Sequence, residues 1–252
     1  PLLFGRTMDR PNLIVYVHGF GGEQGMAYNS FEKAVYNAAR SWIPFYVHRW
    51  RSGHLHQVLA DEGITVVRDL LGGKGVGKAT CSLIERALDK LDNLESAAKE
   101  GAERLRAYLQ DLCARRKRFS IIAYSTGTKV TRNAISEGHG PDPISHLHRV
   151  VLVGSILTDS ELVGLPDRVK GQRVTVTYPP EGKDDVLRSY YPWTSFATGG
   201  PIPGKVQTIG EVGSFHPEAE NILVNINNHL DYRRFGPDIL RLALRPLSAT
   251  SL

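Results

Sequence analysis

The chemistry of this chain gathers around one serine. Ile121-Ile122-Ala123-Tyr124-Ser125-Thr126-Gly127 reads as a buried strand that stops at Ser125 and turns directly into a helix. A serine on so tight a turn needs small residues two positions away on each side, because the strained backbone brings those positions against neighbouring elements. Ala123 and Gly127 meet that need. The turn also sets Ser125 beside the N-terminus of the following helix, where partial positive charge favours a developing oxyanion. The chemistry implied is nucleophilic attack by a serine, which requires a base within hydrogen-bond reach and a carboxylate to orient that base. A second segment suits the same chemistry. The apolar run at 12–17 leads into His18-Gly19-Phe20-Gly21-Gly22, and a glycine-rich turn after a buried strand can aim backbone N–H groups at an anion.

The first segment resembles the nucleophile elbow of the α/β-hydrolases, and the second resembles their His-Gly oxyanion loop. The resemblance implies that the backbone N–H groups of Phe20 and Thr126 receive the oxyanion and that His18 shapes its loop rather than acting as the base. It also implies a chain order of nucleophile, acid and histidine, with the last two on loops after later strands. The run at 174–178 is followed by Glu181-Gly182-Lys183-Asp184-Asp185-Val186-Leu187. Asp184 fits the family's Asp-x-Val-Leu setting and is favoured as the acid. Asp185 fits Gly-x-x-Asp, and Asp159, after the preceding strand, is a third candidate. The run at 222–226 resembles the final strand, and Asn227-Asn228-His229-Leu230-Asp231-Tyr232 resembles the terminal histidine loop in its His-x-x-Tyr form. This makes His229 the base, with His216 its nearby rival. Two departures stand out. Ala123 replaces the usual first glycine of the elbow, and the chain starts almost at the strand bearing the oxyanion loop, so a reduced sheet of about six strands is expected.

The elements that must position these residues follow from pattern. Runs rich in Val, Ile, Tyr and Phe at 12–17, 45–50, 119–124, 150–154, 174–178 and 222–226 lack polar alternation, which suits strands buried on both faces. Helices are expected at 30–40, 84–114, 127–136 and from 237 to just before Pro246. In the longest, Ile84, Leu88, Leu91, Ala98, Ala102, Leu105, Leu109 and Leu112 recur at helical spacing. Strands alternating with helices predict an α/β fold, a mostly parallel central sheet with helices on both faces, in one domain over 1–252. The stretch 189–217, rich in Gly, Pro and aromatics, breaks the pattern and is expected to form a lid or a cap-like loop.

Composition narrows the function. The 252 residues carry 31 Lys plus Arg against 26 Asp plus Glu, a net charge of +5, with 41% hydrophobic and 23% charged residues. That is ordinary globular composition. Two cysteines, Cys81 and Cys113, make neither a disulfide framework nor a four-cysteine zinc site. The pairs His54/His56 and His146/His148 lack carboxylates at metal-ligand spacing, and Gly72-Gly73-Lys74-Gly75-Val76-Gly77-Lys78-Ala79 lacks the hydroxyl that a phosphate-binding loop places after its lysine. No metal and no cofactor is expected. The basic run Arg115-Arg116-Lys117-Arg118 is expected to cap a helix C-terminus rather than bind nucleic acid. The expected partner is a small-molecule or lipid ester, with peripheral contact to an anionic surface, no transmembrane segment and a cytoplasmic setting. The expectation is therefore a serine esterase or lipase-like hydrolase, with a catalytically silent binding module of the same fold as the alternative.

Overall fold

The computed structural model describes residues 10–19, 30–51, 78–136, 142–169, 173–180, 183–184 and 207–246, excepting the side chains of 78–95 and 167. Among the described residues there are six strands: β1 Leu13–Val17, β2 Phe45–His48, β3 Phe119–Tyr124, β4 Leu147–Val153, β5 Val174–Tyr178 and β6 Ala219–Leu223. They form one sheet in the order β2-β1-β3-β4-β5-β6, and every pairing is parallel. Helices α1 Ser30–Ala39, α2 Lys78–Ala114, α3 Gly127–Ser136, α4 Asp159–Leu162, α5 Gly164–Val169, α6 Ile209–Val212 and α7 Gly236–Leu244 accompany them, with a 3₁₀ helix at His229–Phe235. The fold is an α/β fold of the class the sequence predicts. No described helix is long and apolar enough to cross a membrane.

Strand alternation divides the core into two layers. Ile14, Tyr16, Ile122, Tyr124, Val151 and Val153 face α1 and α7, meeting Phe31, Val35, Ile239 and Leu240. Their neighbours Val15, Val17, Ile121, Ala123, Val150 and Leu152 face α2 and α3, meeting Ala98, Ala102, Leu105, Leu109 and Val130. Every residue of β3 and β4 is buried, as central strands covered on both faces must be.

Three strands, β4, β6 and β2, shift from the bounds expected from sequence. β4 starts at Leu147, three residues early, because its polar residues find partners: His148 Nε2–H donates to the Arg245 carbonyl at 3.0 Å, and Arg149 donates to Thr175 at 3.1 Å and Glu220 at 3.2 Å. β6 spans 219–223 rather than 222–226. It is an edge strand whose half-buried Glu220 and exposed Asn221 hide its period, while Val224 and Ile226 bury their side chains beyond its end. β2 stops at His48, so that Arg49 and Trp50 leave the ladder for other partners. α2 begins at Lys78, and the short helices α4, α5 and α6 carry no strong sequence signal.

Candidate active site

The sheet delivers its chemistry to the carboxyl ends of the strands, where α/β folds bind ligands. Ser125 follows β3 directly and has φ 53°, a left-handed conformation costing a non-glycine residue about 1–2 kcal/mol. The surroundings over-determine it. Its N–H donates to the Val153 carbonyl at 2.9 Å, and its own carbonyl accepts from the Thr128 N–H at 3.0 Å and the Thr128 hydroxyl at 2.6 Å. Gly127 is a glycine for a steric reason: a Cβ there would lie 2.5 Å from the Val17 carbonyl oxygen and 2.6 Å from that of His18. The elbow thus packs against the end of β1, which brings Gly19 beside Ser125. Thr126 is buried immediately before α3, and its hydroxyl has no hydrogen-bond partner among the described residues.

Asp184 and His229 meet at the same end of the sheet, arriving from β5 and β6. His229 Nδ1–H donates to Asp184 Oδ2 at 2.8 Å, and both residues are buried. The loop carrying His229 is braced: the Asn228 side chain caps the Leu230 N–H at 3.0 Å, and Asp231 accepts from the Asn227 N–H at 3.1 Å. Tyr124, next to the serine, donates its hydroxyl to the His229 carbonyl at 3.1 Å. Gly154, at the end of β4 with φ 52°, has no room for a side chain, since a Cβ would stand 2.8 Å from His229 Cε1. Burial, with the adjacent Asp184 charge, pushes the Tyr232 phenol well above its usual range, so it stays neutral.

The other candidates are placed differently. Asp159 accepts from the Ser214 hydroxyl at 2.6 Å and the Phe215 N–H at 3.0 Å, tying the chain before β6 to the start of α4. His216 Nδ1 accepts from the Glu218 N–H at 3.2 Å within its own turn. Phe20 and Asp185 lie outside the described residues, as do 189–206 of the expected lid. The remainder of that stretch is anchored through α6, whose Ile209 and Gly210 N–H groups donate to Leu157 and Ser155 at 2.8 and 3.1 Å.

His18 is fully buried and engaged through both ring nitrogens. Nδ1–H donates to the Gly19 carbonyl at 2.6 Å, and Nε2 accepts from the Trp50 N–H at 3.2 Å. The Trp50 indole stacks on it at 5.7 Å and donates Nε1–H to the His18 carbonyl at 2.8 Å. Burial lowers its pKa to about 4, with the Arg49 and His48 charges adding and the Gly19 bond opposing. The adjoining Arg49 pairs with buried Glu32 of α1 at 2.8 and 2.5 Å. Arg49 and Trp50 therefore hold the residues on either side of segment 20–29. Sequence reasoning placed Arg49 and Trp50 at the end of a strand run without a role of their own, and it missed the parts played by Gly154 and Tyr124. A tryptophan ending an apolar run and a glycine closing β4 were the signals within the sequence.

Among the described residues no group of three His, Cys, Asp or Glu side chains is arranged to hold a metal. His54, His56 and the glycines at 72–77 lie outside the described residues; Cys113 is a half-buried free thiol. No family model matches the chain, and no curated protein does. Among solved structures, the poly(3-hydroxybutyrate) depolymerase LpqC from Bordetella parapertussis is similar at a TM-score of 0.38 and 14% identity, over 95% of this chain and 80% of that one. A likeness at that score carries no argument, so any function must be read from the side chains themselves.

Proposed function

We propose that the protein is a serine hydrolase acting on carboxylic esters through Ser125, His229 and Asp184. The observation that carries this reading is the left-handed Ser125 at the same end of the sheet as a buried His229–Asp184 pair joined at 2.8 Å. A serine bearing about 1–2 kcal/mol of backbone strain is kept where the strain presents its hydroxyl. In the reaction, Ser125 Oγ attacks the acyl carbon while His229 takes its proton. Asp184 holds the imidazole by Nδ1 and stabilises the imidazolium, and His229 then returns the proton to the leaving alcohol. Water releases the acyl group from Ser125 by the same steps in reverse. The Thr126 N–H at the start of α3, with that of Phe20, receives the tetrahedral oxyanion, each donor contributing about 3 kcal/mol. The Thr126 hydroxyl, buried beside Ser125 without a partner among the described residues, suits a site completed by a bound oxygen.

The test is turnover of p-nitrophenyl esters of increasing chain length by the wild type and Ser125→Ala. Hydrolysis is expected in the wild type and a loss of about 10⁴-fold or more in the variant, the chain-length optimum sizing the acyl pocket. Equal turnover by both proteins, or none by a folded wild type, overturns the reading and favours the binding module.

A further inference from the structure

His229 sits on a loop, and a ring held only through Nδ1 can still swing about its Cα–Cβ bond. Four parts of the fold enclose it. Asp184 holds Nδ1; the Tyr232 ring meets it edge-on, with centroids 6.0 Å apart at 83°. Gly154 closes the Cε1 side. The fourth is Tyr124, the residue before the serine, whose ring lies on the imidazole at 5.0 Å and 22°. Its two roles separate cleanly. The ring also belongs to the core, touching Phe31 at 4.8 Å and Tyr232 at 6.2 Å, whereas the hydroxyl reaches the backbone of His229 at 3.1 Å.

We infer that Tyr124 is a positioning residue for the general base, its ring flooring the His229 imidazole and its hydroxyl fixing the His229 main chain. The inference rests on the reading of His229 as the base. Because Tyr124 adjoins Ser125, one side chain couples the strand that carries the nucleophile to the loop that carries the base. Its face also favours the imidazolium that forms during attack. Among the described residues Asp184 sets its carboxylate against the ring, while Tyr124 and Tyr232 face it as phenols.

The experiment measures p-nitrophenyl acetate hydrolysis and thermal stability for Tyr124→Phe and Tyr124→Leu, alone and in a His229→Gln background. Tyr124→Phe keeps the ring and is expected to lower kcat about 5- to 20-fold with KM and Tm little changed. Tyr124→Leu removes the floor as well and is expected to cost about 100-fold. In the His229→Gln background neither change should lower the residual rate further, since its target is gone. Wild-type kcat in Tyr124→Phe, or the same fold-loss with His229 absent, overturns the positioning role and leaves the base assignment standing. Full turnover by His229→Gln instead overturns both.

Discussion

His18, after β1, and His229, after β6, are both buried, and their surroundings hold them in different ways. His18 has both nitrogens bound to main-chain groups, lies under Trp50, and titrates near pH 4. A ring so held stays neutral and cannot exchange a proton without losing the contact that shapes its loop. His229 is held at Nδ1 by a side-chain carboxylate, that of Asp184, at 2.8 Å. The comparison shows that burial alone does not mark a base. The two rings differ in what holds them, main-chain groups at His18 and a carboxylate at His229.

Exchanging each histidine in turn sharpens that contrast most. His229→Gln is expected to lose about 10⁴-fold or more of ester turnover with the fold intact, and Asp184→Asn a comparable amount, because the imidazole then takes the wrong tautomer. His18→Gln should act chiefly on stability, by about 1–3 kcal/mol for its buried hydrogen bonds, read as a fall in Tm. A His18→Gln protein that is as stable as the wild type but inactive would reverse the two roles.

A second effect on stability lies in the pH dependence of folding. With a folded-state pKa near 4 and an unfolded value of 6.5, the unfolded chain binds more protons between those limits. The contribution of His18 is therefore fully present above pH 6.5 and is lost as pH falls toward 4. His48, its Nε2–H bound to the Gly101 carbonyl and its pKa lowered by burial to about 4, adds a loss of the same sign. Each is worth on the order of 3 kcal/mol across the window. Urea unfolding between pH 7 and pH 4.5 should show the decline, with a shallower slope in His18→Gln; equal slopes would contradict the assignment.

The two regions also differed in how far they could be read from sequence. Ser125 and Gly127 were legible because an elbow is local: a strand, a turn and a helix lie within seven residues. Asp184 and His229 were legible through their order after successive strands, although 45 residues separate them. The clamp around His18 was not, since Glu32 meets Arg49 across 17 residues and Trp50 meets His18 across 32. Nothing in local pattern specifies such partners. The early start of β4 was hidden for a similar reason: His148 and Arg149 read as surface residues until their partners Arg245, Thr175 and Glu220 are in place. Gly154 was visible as a glycine closing a strand, but its left-handed turn gains its meaning only once His229 has folded over it.

The central claim is that Ser125 is a nucleophile activated by His229. The most direct measurement is covalent labelling with a fluorophosphonate, read by intact mass and then by peptide mapping, in the wild type, Ser125→Ala and His229→Gln. The account predicts one adduct per chain, carried on Ser125, absent from Ser125→Ala and formed far more slowly in His229→Gln. An adduct on another residue, or labelling of a folded His229→Gln protein at the wild-type rate, would contradict it.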